Sequence, residues 1–298
     1  MGKLFSALAV LSLIWGTSFL FIKLLLNSMD PVVVVFGRCL FGSMILLLIV
    51  ILKKKKLKLS TLPWFQLLLV ALANNALPWL LISSSETKLT SGMASIINAT
   101  TPIWTLIIGA FFFSSSLRRN QWIGIMIGFL GIFILSDFKL GDLYSGNVIG
   151  ILLMTGATLC YGIGSHLSKK YLAHLSVLET SFFTLLFSTG ISLIMVLFKT
   201  PHSLSTFVNM NTLGPFVGLG VLGSGIAYLL YYYLVKEGSA EFASLVTYLV
   251  PVSAIIWGTF LLQEELHFSM MVGLLIIFSG VYISTIKPKE KSKATFTA

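Results

Sequence analysis

Charge is scarce in this chain. Only 10% of its 298 residues are Asp, Glu, Lys or Arg, against about 25% in a soluble domain, so more than half of the usual polar coat is missing and a water-soluble fold is excluded. Acidic residues are rarest, ten in all, and they fall in loops or near the ends of apolar runs, among them Glu179, Glu237, Glu241, Glu264 and Glu265. A carboxylate relay through the middle of a membrane is therefore not evident. The two cysteines, Cys39 and Cys160, lie in apolar runs, where a thiol packs as a small hydrophobe; they say nothing about disulfides. No His/Cys cluster has metal-ligand spacing, and no Gly-x4-Gly-Lys-Ser/Thr phosphate loop occurs, so no metal or other cofactor is expected. Ser224 in Gly-Ser-Gly and Ser165 before His166 offer hydroxyls, but neither sits in a Gly-x-Ser-x-Gly elbow. An enzyme is thus not expected. A membrane sensor lacks a soluble output domain here.

Long apolar runs are what the chain has instead. About 20 apolar residues cross a bilayer as a helix, and reading runs between charged or Pro/Gly/Asn-rich breaks gives ten spans: 5–26, 32–52, 62–83, 91–113, 121–136, 148–167, 177–198, 212–235, 240–263 and 268–286. The expectation is an all-α polytopic membrane protein of ten transmembrane helices. The first run continues through Trp15 to Leu26 without a small-residue cleavage pattern, so it reads as a retained span rather than a signal peptide. Fifteen Lys/Arg fall in one set of connections (Lys3, the 53–58 run, Arg118, Arg119, Lys169, Lys170, Lys236 and four lysines from Lys287 to Lys293). Four fall in the other, Lys23, Lys88, Lys139 and Lys199. The positive-inside rule then puts both termini in the cytoplasm of a cell-membrane protein. The net charge of +10 is a topology signal, not a mark of nucleic-acid binding, although the basic loops can touch anionic lipid.

The chain also repeats itself. At an offset of 146, Trp15, Gly16 and Lys23 fall on Tyr161, Gly162 and Lys169; at 149, Ala94, Ser95, Pro102, Gly109, Leu117, Gly124 and Gly131 fall on Ala243, Ser244, Pro251, Gly258, Leu266, Gly273 and Gly280. The three-residue difference fits in the loop before the third span of each half. Residues 1–140 and 146–287 are the two repeats, with a basic cytoplasmic tail over 288–298. Five spans per repeat is odd, so the second repeat enters the membrane inverted. Secondary carriers use this arrangement around a midplane site. Lys23 and Lys169 are then placed to snorkel to opposite interfaces.

The paired five-span repeats, the Trp-Gly-x6-Lys pattern of the first half and the closing segment VPVSAIIWGTFLLQEELHFSMMVGLLIIFSGVYI resemble the drug/metabolite transporter superfamily, EamA type, over nearly the whole chain. The resemblance implies a ten-helix carrier, commonly an exporter of amino acids and other metabolites, with a central cavity bordered mainly by spans 1, 3, 4, 6, 8 and 9. One residue departs from the pattern: the acidic position before the last span is Glu264 in the second half and Ser115 in the first. Any role of that carboxylate is not symmetric here.

Candidate solute contacts come from small and amphipathic side chains at midplane depth. Ser91, Ser95, Asn98, Pro102, Thr105 and Gly109 share one helical face, as do Ala240, Ser244, Thr247, Pro251, Ala254 and Gly258. Each proline lacks an N–H, which frees the carbonyl of Asn98 or of Thr247. A freed carbonyl is tolerated where protein or a wet cavity answers it; close packing of small faces explains the same pattern. Asn75 and Trp79 in span 3 correspond to Ser224 and Tyr228 in span 8, followed by Tyr231 and Tyr232. An amide or hydroxyl beside a ring suits an amphipathic solute, while a lipid-facing or packing tryptophan is the alternative for Trp79. With Trp15, Tyr161, Thr101 and Tyr248, these complete the candidate substrate-binding set: Trp15, Asn75, Trp79, Asn98, Thr101, Pro102, Tyr161, Ser224, Tyr228, Thr247, Tyr248 and Pro251. Arg38, a third of the way into span 2, is costly unless paired or facing water; it reads as an anchor near the outer interface, or else as a contact for a solute carboxylate. His166 reads as a polar terminus or a proton acceptor. The glycines of spans 5 and 8 read as close-packing positions, with hinge or homodimer contacts as further uses. The function expected is export of a small amphipathic, amino-acid-like metabolite by alternating access, with uptake or exchange as the alternative.

Overall fold

The computed structural model describes residues 2–55, 57, 59–113, 118–135, 146–200 and 210–285. Lys56, Lys58, Ser115, Leu117, Lys139, the lysines from Lys287 onward and the tail over 288–298 lie outside them. The described chain forms ten helical rods and no strand. Rod 1 is α1 (Gly2–Leu26) and rod 2 is α2 (Pro31–Leu52). Rod 3 joins α3 (Trp64–Ala71) to α4 (Leu77–Glu86) through a π turn at Leu72–Ala76. Rod 4 is α5 (Ser91–Asn98) and α6 (Thr101–Phe112), and rod 5 is α7 (Arg119–Leu135). In the second half, rod 6 is α8 (Gly146–Tyr171) and rod 7 is α9 (Val177–Lys199). Rod 8 runs from α10 (Met210–Phe216) through a π segment (Val217–Ile226) into α11 (Ala227–Glu237). Rod 9 is α12 (Ala240–Ser244) and α13 (Val246–Leu262), and rod 10 is α14 (Phe268–Thr285). Eight of the rods are long and apolar enough to cross a membrane, and rod 10 holds a shorter apolar stretch, Phe268–Gly280. Large side chains such as Phe198, Phe260 and Phe268 stand exposed along them, as a lipid solvent allows.

Local chemistry sets the rod starts. Asp30 caps α2 at the Val32 amide, with Pro31 in the first turn, where its missing N–H costs nothing. Ser176 and Glu179 form a capping box on α9, Thr90 caps α5 at Met93, and Ser239 caps α12 at Phe242. At the repeat offsets Asp30 matches Ser176 and Thr90 matches Ser239, so the two halves begin equivalent rods with equivalent caps.

The halves are joined by contacts that exchange under the repeat, the signature of an internal two-fold axis. A Cβ on Gly131 would stand 3.0 Å from the Gly273 carbonyl, and one on Gly280 would stand 2.6 Å from the Gly124 carbonyl; the second contact is the first with the halves swapped. α7 and α14 therefore pack backbone to backbone. Gly16 of rod 1 presses on Ser253 and Val250 of rod 9, while Gly162 of rod 6 presses on Trp104 and Thr105 of rod 4. Lys23 Nζ donates to the carbonyls of Glu86 and Leu89 at 2.7 and 2.8 Å, and Lys169 Nζ donates to those of Val235 and Gly238 at 2.9 and 3.2 Å. Neither lysine simply snorkels: each is half-buried and closes the carboxyl end of a rod in its own repeat, whose last carbonyls carry partial negative charge. α2 and α9 lie side by side across the seam, clasped by Lys199–Asp30 (3.4 Å) at one end and Lys55–Glu179 (3.3 Å) at the other.

Rod 3 continues past Ser83 to Glu86, and that one turn changes the account of the acids. Glu86 is fully buried, and neither carboxylate oxygen accepts a hydrogen bond. Lys23 reaches its backbone carbonyl instead. Glu264 is equally well placed and fully used: its oxygens accept from the Ser91 amide (2.8 Å), the Ser91 hydroxyl (2.7 Å) and the Gly92 amide (3.2 Å). The carboxylate from the end of rod 9 thus caps rod 4 of the other repeat.

Candidate functional site

Three interrupted rods shape the interior. Pro78 lacks the N–H that would bond the Asn74 carbonyl, and the chain absorbs the defect as a π turn. The freed carbonyl accepts a hydrogen bond from the Tyr228 hydroxyl at 2.7 Å. The Asn74 amide then reaches Tyr231 and Tyr232, each at 3.4 Å. In rod 4, Pro102 frees the Asn98 carbonyl, and Thr101 Oγ1 donates to it at 2.7 Å; the helix breaks at Ala99–Thr100. In rod 8 the glycine-rich π segment leaves the Gly223 carbonyl to accept from Trp15 Nε1 at 3.1 Å.

Between the halves lies a cavity whose atom-free space, counted out through its open mouth, is about 610 Å³. Rods 1, 2, 3 and 4 contribute from the first repeat, and rods 6, 8 and 9 from the second. Seven of the predicted residues line it: Trp15, Trp79, Asn98, Thr101, Tyr161, Tyr228 and Thr247. Trp79 faces inward, 1% exposed, and meets Tyr228 edge-on at 5.2 Å; Trp15 lies 5.5 Å from Tyr231. Edge and offset contacts of this kind favour aromatic pairs, so the walls form one connected aromatic surface.

Five predicted residues are not among the lining residues. Asn75 sits in the π turn, buried, with both side-chain polar atoms unpartnered. Pro102 and Pro251 are buried in the backbone of their rods and shape them. Tyr248 turns to the far side of rod 9, against Phe278 at 6.1 Å. Ser224 stands behind the wall, donating to the Leu219 carbonyl (3.0 Å) and accepting from Arg38 Nε (3.1 Å).

Arg38 reads from the sequence either as an interface anchor or as a contact for a solute carboxylate, and the structure puts it in the cavity wall. It is 3% exposed, lines the cavity, and lays its guanidinium 3.7 Å over the Trp79 ring. Anchoring at an interface does not describe it. Its depth and its neighbours, an indole face and a hydroxyl, hold it inside the protein. His166 is buried too; its Nε2 lies 2.9 Å from the Thr105 carbonyl, and its ring stacks on Phe113. A carbonyl only accepts, so Nε2 carries the hydrogen. The histidine ties rod 6 to rod 4 and is not among the cavity-lining residues.

The comparisons with known proteins agree with this architecture. The EamA-like transporter family matches residues 3–137 and again 148–286. An uncharacterized transporter of Archaeoglobus fulgidus is 25% identical over 94% of this chain and 98% of its own length. The uncharacterized inner membrane transporter YedA of Escherichia coli K12 is 27% identical over 95% and 90%. A solved crystal structure shares the fold with a TM-score of 0.71 at 16% identity, covering 95% of this chain and 97% of its own. The chain belongs to the EamA-like transporter family and is a multi-pass membrane transporter of the drug/metabolite type.

Proposed function

We propose that the chain exports a small amphipathic, amino-acid-like metabolite by alternating access, with both termini in the cytoplasm. The observation that carries this reading is the cavity at the seam of the two repeats, walled by aromatic rings and edged by the amide of Asn98 and the hydroxyls of Thr101 and Thr247. Rings accept an apolar body, amide and hydroxyls orient a polar end, and inverted repeats let one bundle rock against the other around a fixed site. The outward direction rests on the family resemblance, and the placement of the termini on the Lys/Arg asymmetry.

Counterflow of labelled solutes in proteoliposomes of known protein orientation tests it. Saturable exchange, with faster efflux from the face bearing the termini, is the expected result. Faster entry toward that face makes the protein an uptake carrier. Chemical conversion of a solute without movement makes it an enzyme.

A further inference from the structure

We propose that Arg38 recognises a carboxylate on the transported solute, which makes the cargo class an organic acid or zwitterion with one carboxylate and an apolar or aromatic body. This rests on the transport reading above and deepens it. A guanidinium presents five N–H donors. Here Nε is used on Ser224 and one face of the group is covered by Trp79. Among the described residues no protein acceptor meets the remaining donors and no carboxylate lies within 4.0 Å. Glu86 acts on Arg38 only at longer range, its oxygens accepting no hydrogen bond. A buried arginine without an ion-pair partner is expensive in this environment, and a solute carboxylate supplies the missing charge and both acceptors of the bidentate fork.

The internal symmetry says that the fold does not need this arginine. At the repeat offset Arg38 corresponds to Thr184, buried in the equivalent place of α9, where its hydroxyl donates to the carbonyls of Thr180 and Ser181 and accepts from the Tyr232 hydroxyl at 3.3 Å. The same rod position is thus filled at one site by a hydroxyl fully engaged within the protein and at the other by a cation turned to the cavity. The lining carries no Asp or Glu, so a net cation has no counter-charge there. A single guanidinium balances a carboxylate better than a phosphate dianion. Asn98 Oδ1, on a side chain 5% exposed, is unpartnered and offers an acceptor to an N–H of the same solute.

Matched pairs of acid and amide test the assignment without knowledge of the natural cargo: benzoate with benzamide, phenylalanine with phenylalaninamide, and threonine with threonine amide, each as competitor and as counterflow substrate. Wild-type protein should prefer the acid of any pair it accepts by on the order of tenfold to a hundredfold, the usual worth of a charge-assisted contact. Arg38→Gln should abolish that preference while leaving the affinity for the amide in place, and Arg38→Lys, which keeps the charge without the fork, should restore part of it. Equal handling of acid and amide by wild type overturns the proposal whether or not the variants fold. So does undiminished acid preference in Arg38→Gln, or preference for phenyl phosphate over benzoate. In those cases solutes still move, so the transport reading stands. Movement of none of the pairs by intact protein overturns the underlying cargo class instead.

Discussion

The hydroxyl of Tyr228 answers a carbonyl that Pro78 has left open, and the same tyrosine meets Trp79, Trp15 and Tyr231. A buried carbonyl stripped of its donor costs about 1–3 kcal/mol. Tyr228→Phe, which keeps the ring and deletes only the donor, should therefore destabilise the fold by about 1–3 kcal/mol and lower the thermal midpoint in detergent. An unchanged midpoint would show that the Asn74 carbonyl has another donor. Sequence reasoning found the aromatic wall here and missed what holds it. Asn74 and Asn75 are neighbours in an apolar run, and a helix of period 3.6 gives no reason to prefer the first. The π turn rotates that stretch away from the regular period, turning Asn74 to the tyrosines and leaving Asn75 buried without partners. The partners of Arg38 were hidden for a different reason. Its cost inside a membrane was plain from position alone, but a ring on rod 3 and a hydroxyl on rod 8 hold it, and such a pairing across distant parts of the chain leaves no trace in spacing.

Elements were more legible. The offsets of 146 and 149 place Gly16 with Gly162 and Gly131 with Gly280, and each of these glycines lies where two rods touch through backbone. Small residues at constant spacing record close approach because any Cβ there collides. At Gly280 an added Cβ would stand 2.6 Å from the Gly124 carbonyl and 2.7 Å from the Gly128 amide, neither of which is a flexible side-chain tip. Gly280→Ala should loosen the α7–α14 pair at a cost of about 1–3 kcal/mol, the usual range for overpacking, and lower the thermal midpoint accordingly. Gly190→Ala, inside α9 and meeting nothing within 4 Å, is the matched control and should leave the midpoint unchanged or raise it, since Ala favours the helix. Rod ends were less legible than rods: Ser84, Ser85 and Glu86 look like a loop by polarity, yet the helix carries them inward, since Lys23 of rod 1 closes its last carbonyls.

At the scale of the whole molecule, inversion makes a sharp topological statement. Lys88 and Glu237 are counterparts at the repeat offset, and both are exposed just beyond the clasps formed by Lys23 and Lys169. Single cysteines at these two positions should react with a membrane-impermeant thiol reagent from opposite sides of intact cells. Cys39 is buried and Cys160 partly so, which keeps the background low. Labelling of both positions from the same side would refute the inversion, and with it the alternating geometry.

Like is exchanged for like almost everywhere across the seam, lysine clasp against lysine clasp and glycine contact against glycine contact, so these features leave the two faces of the carrier level. Glu264, like Arg38, is an exception. It staples rod 4 to rod 9 through three hydrogen bonds, and its opposite number in the sequence is Ser115. On the alternating-access reading proposed above, a staple carried by one half alone would weight the two faces unequally, and the idle carrier would favour the face on which rods 4 and 9 stay joined.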